Sequence, residues 1–295
     1  MNAIYTATIS LLLVFASTFA TAQLATYNDN AGNLLSPSFF GPDVAISNIT
    51  YTGHPGVLGS FLSDTTNLGL TKGLVMTTGS VLPPYGPQGP NDNGGEGIDN
   101  GFAGDSLLTI VAGALTYNAA ILEFDFVSVL DTFKFRYVFG SDEYPEYVGS
   151  QFNDAFQISM VGPGIVGSEI LSVIPSGTQV SINNVNQTNN GLFYVANGDG
   201  SDPPYNSSEY YIQYDGFTVP LYVNKAIIPG ETYHLRIAIA DAGDGILDSG
   251  VFLEECEGCG YNVGLDDQTF DDFVCFPNPT NGNVSLGFPV LKKKY

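Results

Sequence analysis

Glycine and proline recur along this chain too often to leave room for long helices. The sequence holds 35 Gly and 17 Pro. Gly costs a helix backbone entropy, and Pro removes an amide donor and clashes with the preceding turn. No segment shows a convincing helical period, while 20 Phe and 17 Tyr supply large apolar groups for a core. The sequence therefore predicts an all-β domain with many loops.

Alternating apolar and polar residues identify the strands. We predict strands at residues 73–78, 120–127, 132–139, 155–161, 169–174, 217–223, 232–240 and 249–254. In the strand predicted at 132–139, one face carries the aromatic residues Phe133, Phe135, Tyr137 and Phe139. Pro220 cannot donate to a sheet ladder, so its strand is predicted at an edge. Residues 23–255 are expected to form a two-sheet antiparallel β-sandwich, jelly-roll-like in type.

The charge balance excludes one class of partner. The formal net charge is −22, because 30 Asp and Glu stand against 8 Lys and Arg. Such a surface repels a polyanion, so we expect no nucleic-acid partner. Most carboxylates also lack a basic residue to pair with. They must be solvated, hydrogen-bonded or neutralised by a cation.

Two acids have basic partners if neighbouring strands pair as a hairpin. The strand that holds Glu123 and Asp125 is joined by a short turn to the strand that holds Lys134 and Arg136. Antiparallel pairing would set the two acids against the two bases. We therefore expect a structural role for this pair of acids.

Three loops next to predicted strands collect acidic and amide side chains, at residues 140–147, 152–155 and 241–250. If they meet at one end of the sandwich, they offer the about six to eight oxygens that Ca²⁺ prefers. The candidate ligands are Asp142, Glu143, Glu146, Asn153, Asp154, Asp241, Asp244 and Asp248. The sequence predicts a structural calcium site here. The alternative is that these turns are simply solvated, since Asp, Asn and Gly favour turns in any case.

Other metal sites fit the sequence poorly. A calcium loop of the EF-hand type starting at Asp241 would have Phe252 where its bidentate Glu belongs. Zinc is disfavoured because Cys256 and Cys259 have no second pair and no His nearby. These two cysteines are expected to form a local disulfide or stay free, with Cys275 as an alternative partner.

Tyrosines near acidic loops predict a binding surface. The candidates are Tyr144, Tyr147, Tyr205 and Tyr210. Rings beside Asn and Asp suit a glycan, whose apolar face packs on a ring while its hydroxyls meet polar groups. The expected partner is a glycan or a cell-surface protein. The alternative is that these tyrosines only pack loops together.

No catalytic residues are predicted. A sandwich-glycosidase pattern, E-x-D-x-x-E, begins at Glu123 but has Ser128 at its last position. Neither His54 nor His234 is accompanied by a G-x-S-x-G nucleophile elbow. A carbohydrate-active hydrolase that uses loop carboxylates stays an alternative to the binding or adhesion module. A structural surface-layer or adhesin building block is another.

Both ends of the chain carry features of export. Residues 1–22 have an apolar centre and small residues before Gln23, as in a cleaved signal peptide. We therefore expect a mature chain that is not inserted in a membrane and lies outside the cell or on its outer surface. Residues 256–275 are expected to be a linker containing the C-x-x-C pair. Residues 276–295 begin with FPNPTNG, which resembles the start of a type IX secretion sorting domain in truncated form, so the secretion machinery is an expected partner.

Long motifs along the predicted sandwich carry a family resemblance. They are AAILEFDF (119–126), FRYVFGSDEYPEY (135–147), FNDAF (152–156), GPG (162–164), VSINNVN (180–186), YDGFT (214–218), YHLRIAIAD (233–241), AGDG (242–245) and DSGVFL (248–253). Together they resemble the choice-of-anchor L domain over most of residues 35–255. The resemblance implies an exported bacterial domain that different members join to different surface anchors. It implies no established enzymatic activity.

Overall fold

The structure is a computed structural model that describes residues 24–63, 66–92, 97–208 and 211–256. The predicted signal peptide and sorting-like tail lie outside these residues, as do Tyr210 and nearly all of the predicted linker. Within the described ranges, no helix has both the length and the apolar character needed to cross a membrane.

Short strands dominate the described chain. In order, the elements are β1 (Ala25–Asn28), α1 (Ala31–Leu34), β2 (Val44–Thr52), β3 (Leu58–Leu62), β4 (Lys72–Thr77), α2 (Ser106–Ala112), β5 (Thr116–Ser128), β6 (Thr132–Ser141), β7 (Ala155–Val161), β8 (Glu169–Ile170), β9 (Tyr194–Ala196), β10 (Gly216–Thr218), β11 (Leu221–Ala226), β12 (Thr232–Ala242) and β13 (Ser249–Glu254). Single 3-10 turns lie at Pro55–Val57 and Gly191–Phe193. The helix α2 is capped by Asp105, whose carboxylate accepts from two amides of the first turn.

Two antiparallel sheets confirm the predicted fold class. Sheet A has eight strands in the order β1-β3-β4-β13-β6-β10-β9, and β11 also pairs with β6. Sheet B has five strands in the order β2-β5-β12-β7-β8. All pairings between these strands are antiparallel. The molecule is thus an all-β sandwich.

The core lies between the two sheets. Phe126 of β5 stacks on Phe133 of β6 with ring centroids 4.1 Å apart, and Phe156 of β7 lies 5.7 Å from Phe139 of β6. These rings are buried, as the alternation in β6 predicts. Because β5 and β7 belong to sheet B while β6 belongs to sheet A, the ring pairs join the sheets. Each buried ring stabilises the sandwich by about 1.5–3 kcal/mol.

The predicted hairpin between β5 and β6 is wrong, because the two strands lie in different sheets. Both strands have an aromatic face, and the two faces bury each other only if the strands sit on opposite sides of the core. The bases that face Glu123 and Asp125 therefore come from β12. Arg236 is aligned with Glu123 and His234 with Asp125. Arg136 instead pairs with Glu254 of β13, at 2.5 Å.

The strand predicted at 217–223 is two strands, β10 and β11, that break around Pro220. Both pair with β6, but β10 also pairs with β9. Among the described strands, β11 has only β6 as a partner, so the edge position is confirmed for β11 and not for β10. The strand predicted at 169–174 shortens to β8, of two residues.

Candidate functional site

The three acidic loops meet at one end of the sandwich. In sheet A, Ser141 at the end of β6 is aligned with Ser249 at the start of β13. In sheet B, Ala240 near the end of β12 is aligned with Ala155 at the start of β7. Antiparallel pairing therefore places the loops after β6 and β12 beside the segments that lead into β13 and β7.

One carboxylate ties the two sheets together at this end. Asp154 accepts a hydrogen bond of 2.9 Å from the amide of Ala242 in sheet B. Its other oxygen accepts one of 2.6 Å from the Ser249 hydroxyl in sheet A. The amide of Asp142 donates to the carbonyl of Asp248 at 3.0 Å, which joins two of the loops. The loops therefore form one bonded unit.

We call six of the predicted ligands the acidic cluster: Asp142, Glu143, Asp154, Asp241, Asp244 and Asp248. All but Asp244 are at most 2% exposed, and Asp244 is half-buried. Carboxylates are rarely this buried without a partner, since burial disfavours the charged form. Ionised carboxylates in the cluster are therefore electrostatically unfavourable in the folded chain.

The pKa values within the acidic cluster show that cost. Burial, and then the charges of Asp154 and Asp244, raise the pKa of Glu143 to about 9. Burial also raises the pKa of Asp154 to about 7, against hydrogen bonds from Ser249 and Ala242 that lower it. Burial and then Asp154 and Asp248 hold the pKa of Asp241 well above its ordinary value, against side-chain hydrogen bonds from Thr78 and Asn118 that lower it. The charges acting on these three groups all belong to carboxylates, so each favours protonation or a bound cation.

Two buried carboxylate oxygens in the cluster have no hydrogen-bond partner. They are Oε2 of Glu143 and Oδ1 of Asp241. The second oxygen of Asp241 accepts from the side-chain amide of Asn118 at 3.0 Å. Leaving a buried acceptor unpaired costs about 1–3 kcal/mol, more for a charged group. The unpartnered oxygens therefore indicate a place for a proton or a cation.

Sequence reasoning missed the residues that support the cluster. Asn118 lies in β5 with a positive φ of 50°, and its side chain reaches Asp241. Gly79 leaves room for Asp248, since a Cβ there would overlap the Asp248 carboxylate. The amide of Ile98 donates to both oxygens of Asp248, at 3.3 and 3.2 Å. No local motif marks these residues, because their role depends on contacts across long sequence separations.

Two other predicted ligands lie apart from the cluster's buried part. Asn153 is buried and its side-chain oxygen accepts from the amide of Asn183 at 2.9 Å, so it positions a neighbouring loop. Glu146 is exposed. An ion held by the buried carboxylates would therefore not draw on Glu146 without a movement of its loop.

The predicted tyrosines differ in exposure. Tyr144 is fully buried, and its hydroxyl donates to the carbonyl of Val185 at 2.6 Å, so it anchors its loop and is not available to a ligand. Tyr147 is 38% exposed and its ring lies 5.3 Å from that of Phe152. Tyr205 is half-buried and packs on Tyr211 at 4.8 Å. Only Tyr147 and Tyr205 are thus candidates for ligand contact among the described tyrosines of the prediction.

Two small cavities at this end are each lined in part by the turn 143–147. The Glu143 cavity, of about 170 Å³, is lined by Glu143, Tyr147, Phe152, Asp244, Ile246 and Leu247. The Tyr194 cavity, of about 150 Å³, is lined by Pro145, Gln187, Tyr194, Ala196, Gly198, Asp199, Asp202 and Asp215. A larger groove of about 440 Å³ lies away from the cluster, between β8 and β11. Its walls include the ion pair of Lys225 and Glu169.

The cluster is not a preformed metal site with three acidic ligands. Among the described residues, no three Asp, Glu, His or Cys side chains converge in a way that would hold a metal ion. A cation here would need hydroxyl, amide or backbone oxygens as well, which Ca²⁺ accepts and Zn²⁺ does not favour. Cys256 is disulfide-bonded, which removes it as a thiolate ligand.

Comparison with known proteins assigns the family. The choice-of-anchor L domain model matches residues 20–257, a range that spans the whole described sandwich. Neither the curated proteins nor the solved structures gave a significant match. A choice-of-anchor domain implies an exported surface protein and a module related to cell-surface anchoring. Since the match covers well over half of the sequence, the chain belongs to the choice-of-anchor L domain family.

Proposed function

We propose that this protein is an exported cell-surface module that binds a glycan or a protein partner. In this proposal Ca²⁺ at the acidic cluster stabilises the end of the sandwich that carries the binding surface. The family supports the surface location. The unpartnered, buried Oδ1 of Asp241 carries the calcium proposal, because a buried carboxylate among other carboxylates favours a cation.

The chemistry of the donors favours calcium over other common metals. Ca²⁺ binds oxygen ligands in irregular numbers and geometries, whereas Mg²⁺ requires a near-ideal octahedron. Neutral oxygens lie beside the carboxylates, since Ser141 and Ser249 are buried at the same strand ends. Backbone carbonyls of the Gly-rich loop 242–245 add to this supply. Such mixed oxygen sets are typical of calcium sites.

Thermal unfolding with and without calcium tests the proposal. A ligand held only by the folded state stabilises it by about 2.7 kcal/mol when its free concentration is about 100 times Kd. For a chain of this size we expect the melting temperature to rise by several degrees in calcium relative to a chelator. An unchanged melting temperature would contradict the calcium proposal.

The variant Asp241→Asn separates metal binding from a purely structural role. The amide keeps the size of the side chain but removes one buried negative charge. We expect this variant to be more stable than the native chain in chelator and to gain less from calcium. Glu231→Gln is the matched control, because Glu231 is exposed at the opposite end of β12. If both variants respond to calcium like the native chain, Asp241 is not a ligand.

A carbohydrate-active hydrolase is the second candidate, favoured by one observation. Glu143 lines a cavity and has its pKa raised to about 9, so it stays protonated near neutral pH, as a general acid must. Asp244 lines the same cavity. Release of reducing ends from neutral polysaccharides that is lost in Glu143→Gln would favour this candidate over a binding module.

A further inference from the structure

The two cavities at the acidic end share one wall, the turn 143–147. Glu143 and Tyr147 at the ends of the turn line one cavity, and Pro145 between them lines the other. The amide of Tyr147 donates to the carbonyl of Glu143 at 3.1 Å, which closes the turn. The buried Tyr144 fixes it to the core. The turn is therefore a firm ridge between two recesses.

The Glu143 cavity combines an acceptor with aromatic and apolar walls. Glu143 lines this cavity and is 2% exposed, and its buried Oε2 has no hydrogen-bond partner. Tyr147 and Phe152 supply rings, and Ile246 is 63% exposed. A ligand that donates a hydrogen bond to Glu143 while it packs an apolar face on Tyr147 would satisfy both features.

The Tyr194 cavity has the same mixture on the other side of the ridge. Its walls include the half-buried ring of Tyr194 and the exposed side chains of Gln187, Asp199 and Asp202. Acceptors outnumber donors here as well. Two recesses of similar size and similar chemistry suit a ligand made of similar units, each with several donors and an apolar face.

We infer that the acidic end binds a neutral oligosaccharide of at least two sugar units, which lies across the turn 143–147 with one unit in each cavity. This inference rests on the proposed binding function and not on the calcium proposal. Sugar hydroxyls donate to Glu143 and to the acids of the second cavity, and the rings of Tyr147 and Tyr194 pack against the sugar faces. Anionic glycans are excluded, because the chain carries a net charge of −22.

An array of neutral oligosaccharides, with oligogalacturonides and oligolysine as charged probes, tests the inference on the full chain. Titration calorimetry then compares the best oligosaccharide with its own methyl monosaccharide. We expect the oligosaccharide to bind roughly tenfold or more tightly, because the second cavity adds contacts to a ligand that is already held. Equal affinities would overturn the two-unit arrangement.

Single variants measure how much each cavity contributes to the affinity for the oligosaccharide. Tyr147→Ala and Gln187→Ala should each weaken oligosaccharide binding several-fold, since each removes contacts from one unit. Tyr147→Phe keeps the ring and should retain affinity. Tyr222→Ala is the control, because Tyr222 is 66% exposed on β11, away from both cavities.

The charged probes separate failure of this inference from failure of the proposed function. If the chain binds oligolysine and none of the neutral oligosaccharides, the proposal of a glycan ligand is overturned. The acidic end would then bind a basic protein partner. Binding of no probe at all would overturn the inference, while the melting temperatures in calcium and chelator still decide the metal proposal separately. Oligogalacturonide binding would contradict the exclusion of anionic glycans.

Discussion

Acidic residues occupy two regions of this sandwich, and the two groups differ in burial and in the charge of their neighbours. On the outer face of sheet B, Asp125 lies 2.8 Å from Nδ1 of His234, and Arg236 lies 2.9 Å from Asp105 and 3.8 Å from Glu123. A hydrogen bond from Asn48 and then one from His234 lower the pKa of Asp125. These acids are partly exposed and the chain itself supplies their partners.

The acidic cluster at the end of the sandwich has the same residue types, but in buried positions and without basic neighbours that lower their pKa values. Its carboxylates are buried, and the charged neighbours that raise the pKa values of Glu143, Asp154 and Asp241 are other carboxylates. The acids of the outer face thus have basic or amide partners within the chain, although Nη1 of Arg236 is buried without a partner. The cluster differs because its unpartnered atoms are carboxylate oxygens. The two regions therefore differ in whether the chain itself supplies a partner for the charge of each acid.

The largest effect on stability should come from a change of pH, which acts mainly on the carboxylates of the acidic cluster. In chelator, Asp154 and Glu143 bind protons more tightly in the folded chain, with pKa values of about 7 and about 9 against ordinary values of 3.8 and 4.5. The folded state therefore holds more protons than the unfolded state between about pH 4 and pH 9, so stability falls as pH rises through this window. A pKa difference of 1 between the folded and unfolded chain corresponds to about 1.4 kcal/mol. Calcium should reduce this fall, because it favours the ionised carboxylates.

Denaturant unfolding at pH 5 and at pH 8, with and without calcium, measures the effect. A chelated chain that is equally stable at both pH values would show that the buried carboxylates do not destabilise the fold. A loss of stability at pH 8 that calcium does not reduce would show instead that no cation reaches them.

Local sequence patterns predict several strands of the fold and the position of the acidic cluster. The aromatic face of β6 and the bounds of β7 and β13 follow from alternation between turn residues, which depends only on neighbours in sequence. The gathering of Asp154, Asp241 and Asp248 follows from their places at strand ends, once the fold class is known. Turn chemistry and alternation are therefore sufficient to locate the acidic end.

The rest depends on tertiary packing that one sequence does not reveal. Glu123 faces β12 and not β6, because aromatic strands on opposite sheets bury each other across the core. Tyr144 is buried although it lies in a polar loop, and Asn118 reaches the cluster from a strand position with positive φ. The strands β1, β2, β3 and β9 are absent from the sequence prediction, because short or irregular strands carry little alternation of their own.

Removing the carboxylate that joins the sheets should have the next largest effect. Asp154→Ala leaves the Ser249 hydroxyl and the Ala242 amide buried without their acceptor. At about 1–3 kcal/mol for each of the two buried donors, we expect a loss of about 2–6 kcal/mol in the free energy of unfolding in calcium. Asp154→Asn keeps one carbonyl acceptor and should lose less. A loss as small as that of an exposed acid would contradict the role of Asp154 as an inter-sheet tie.

The smallest effect should come from the same substitution on the outer face. Asp125→Ala removes a contact to His234 and one to Asn48, and exposed pairs of this kind contribute at most about 1 kcal/mol. The loss should shrink at high salt, because solvent ions screen exposed charges. The rise in melting temperature with calcium should stay unchanged, since Asp125 lies outside the acidic cluster. If Asp125→Ala instead reduced stability as much as Asp154→Ala does, burial would not be what distinguishes the two groups of acids. If Asp125→Ala abolished the calcium response, the proposal that calcium binds at the acidic cluster would be contradicted.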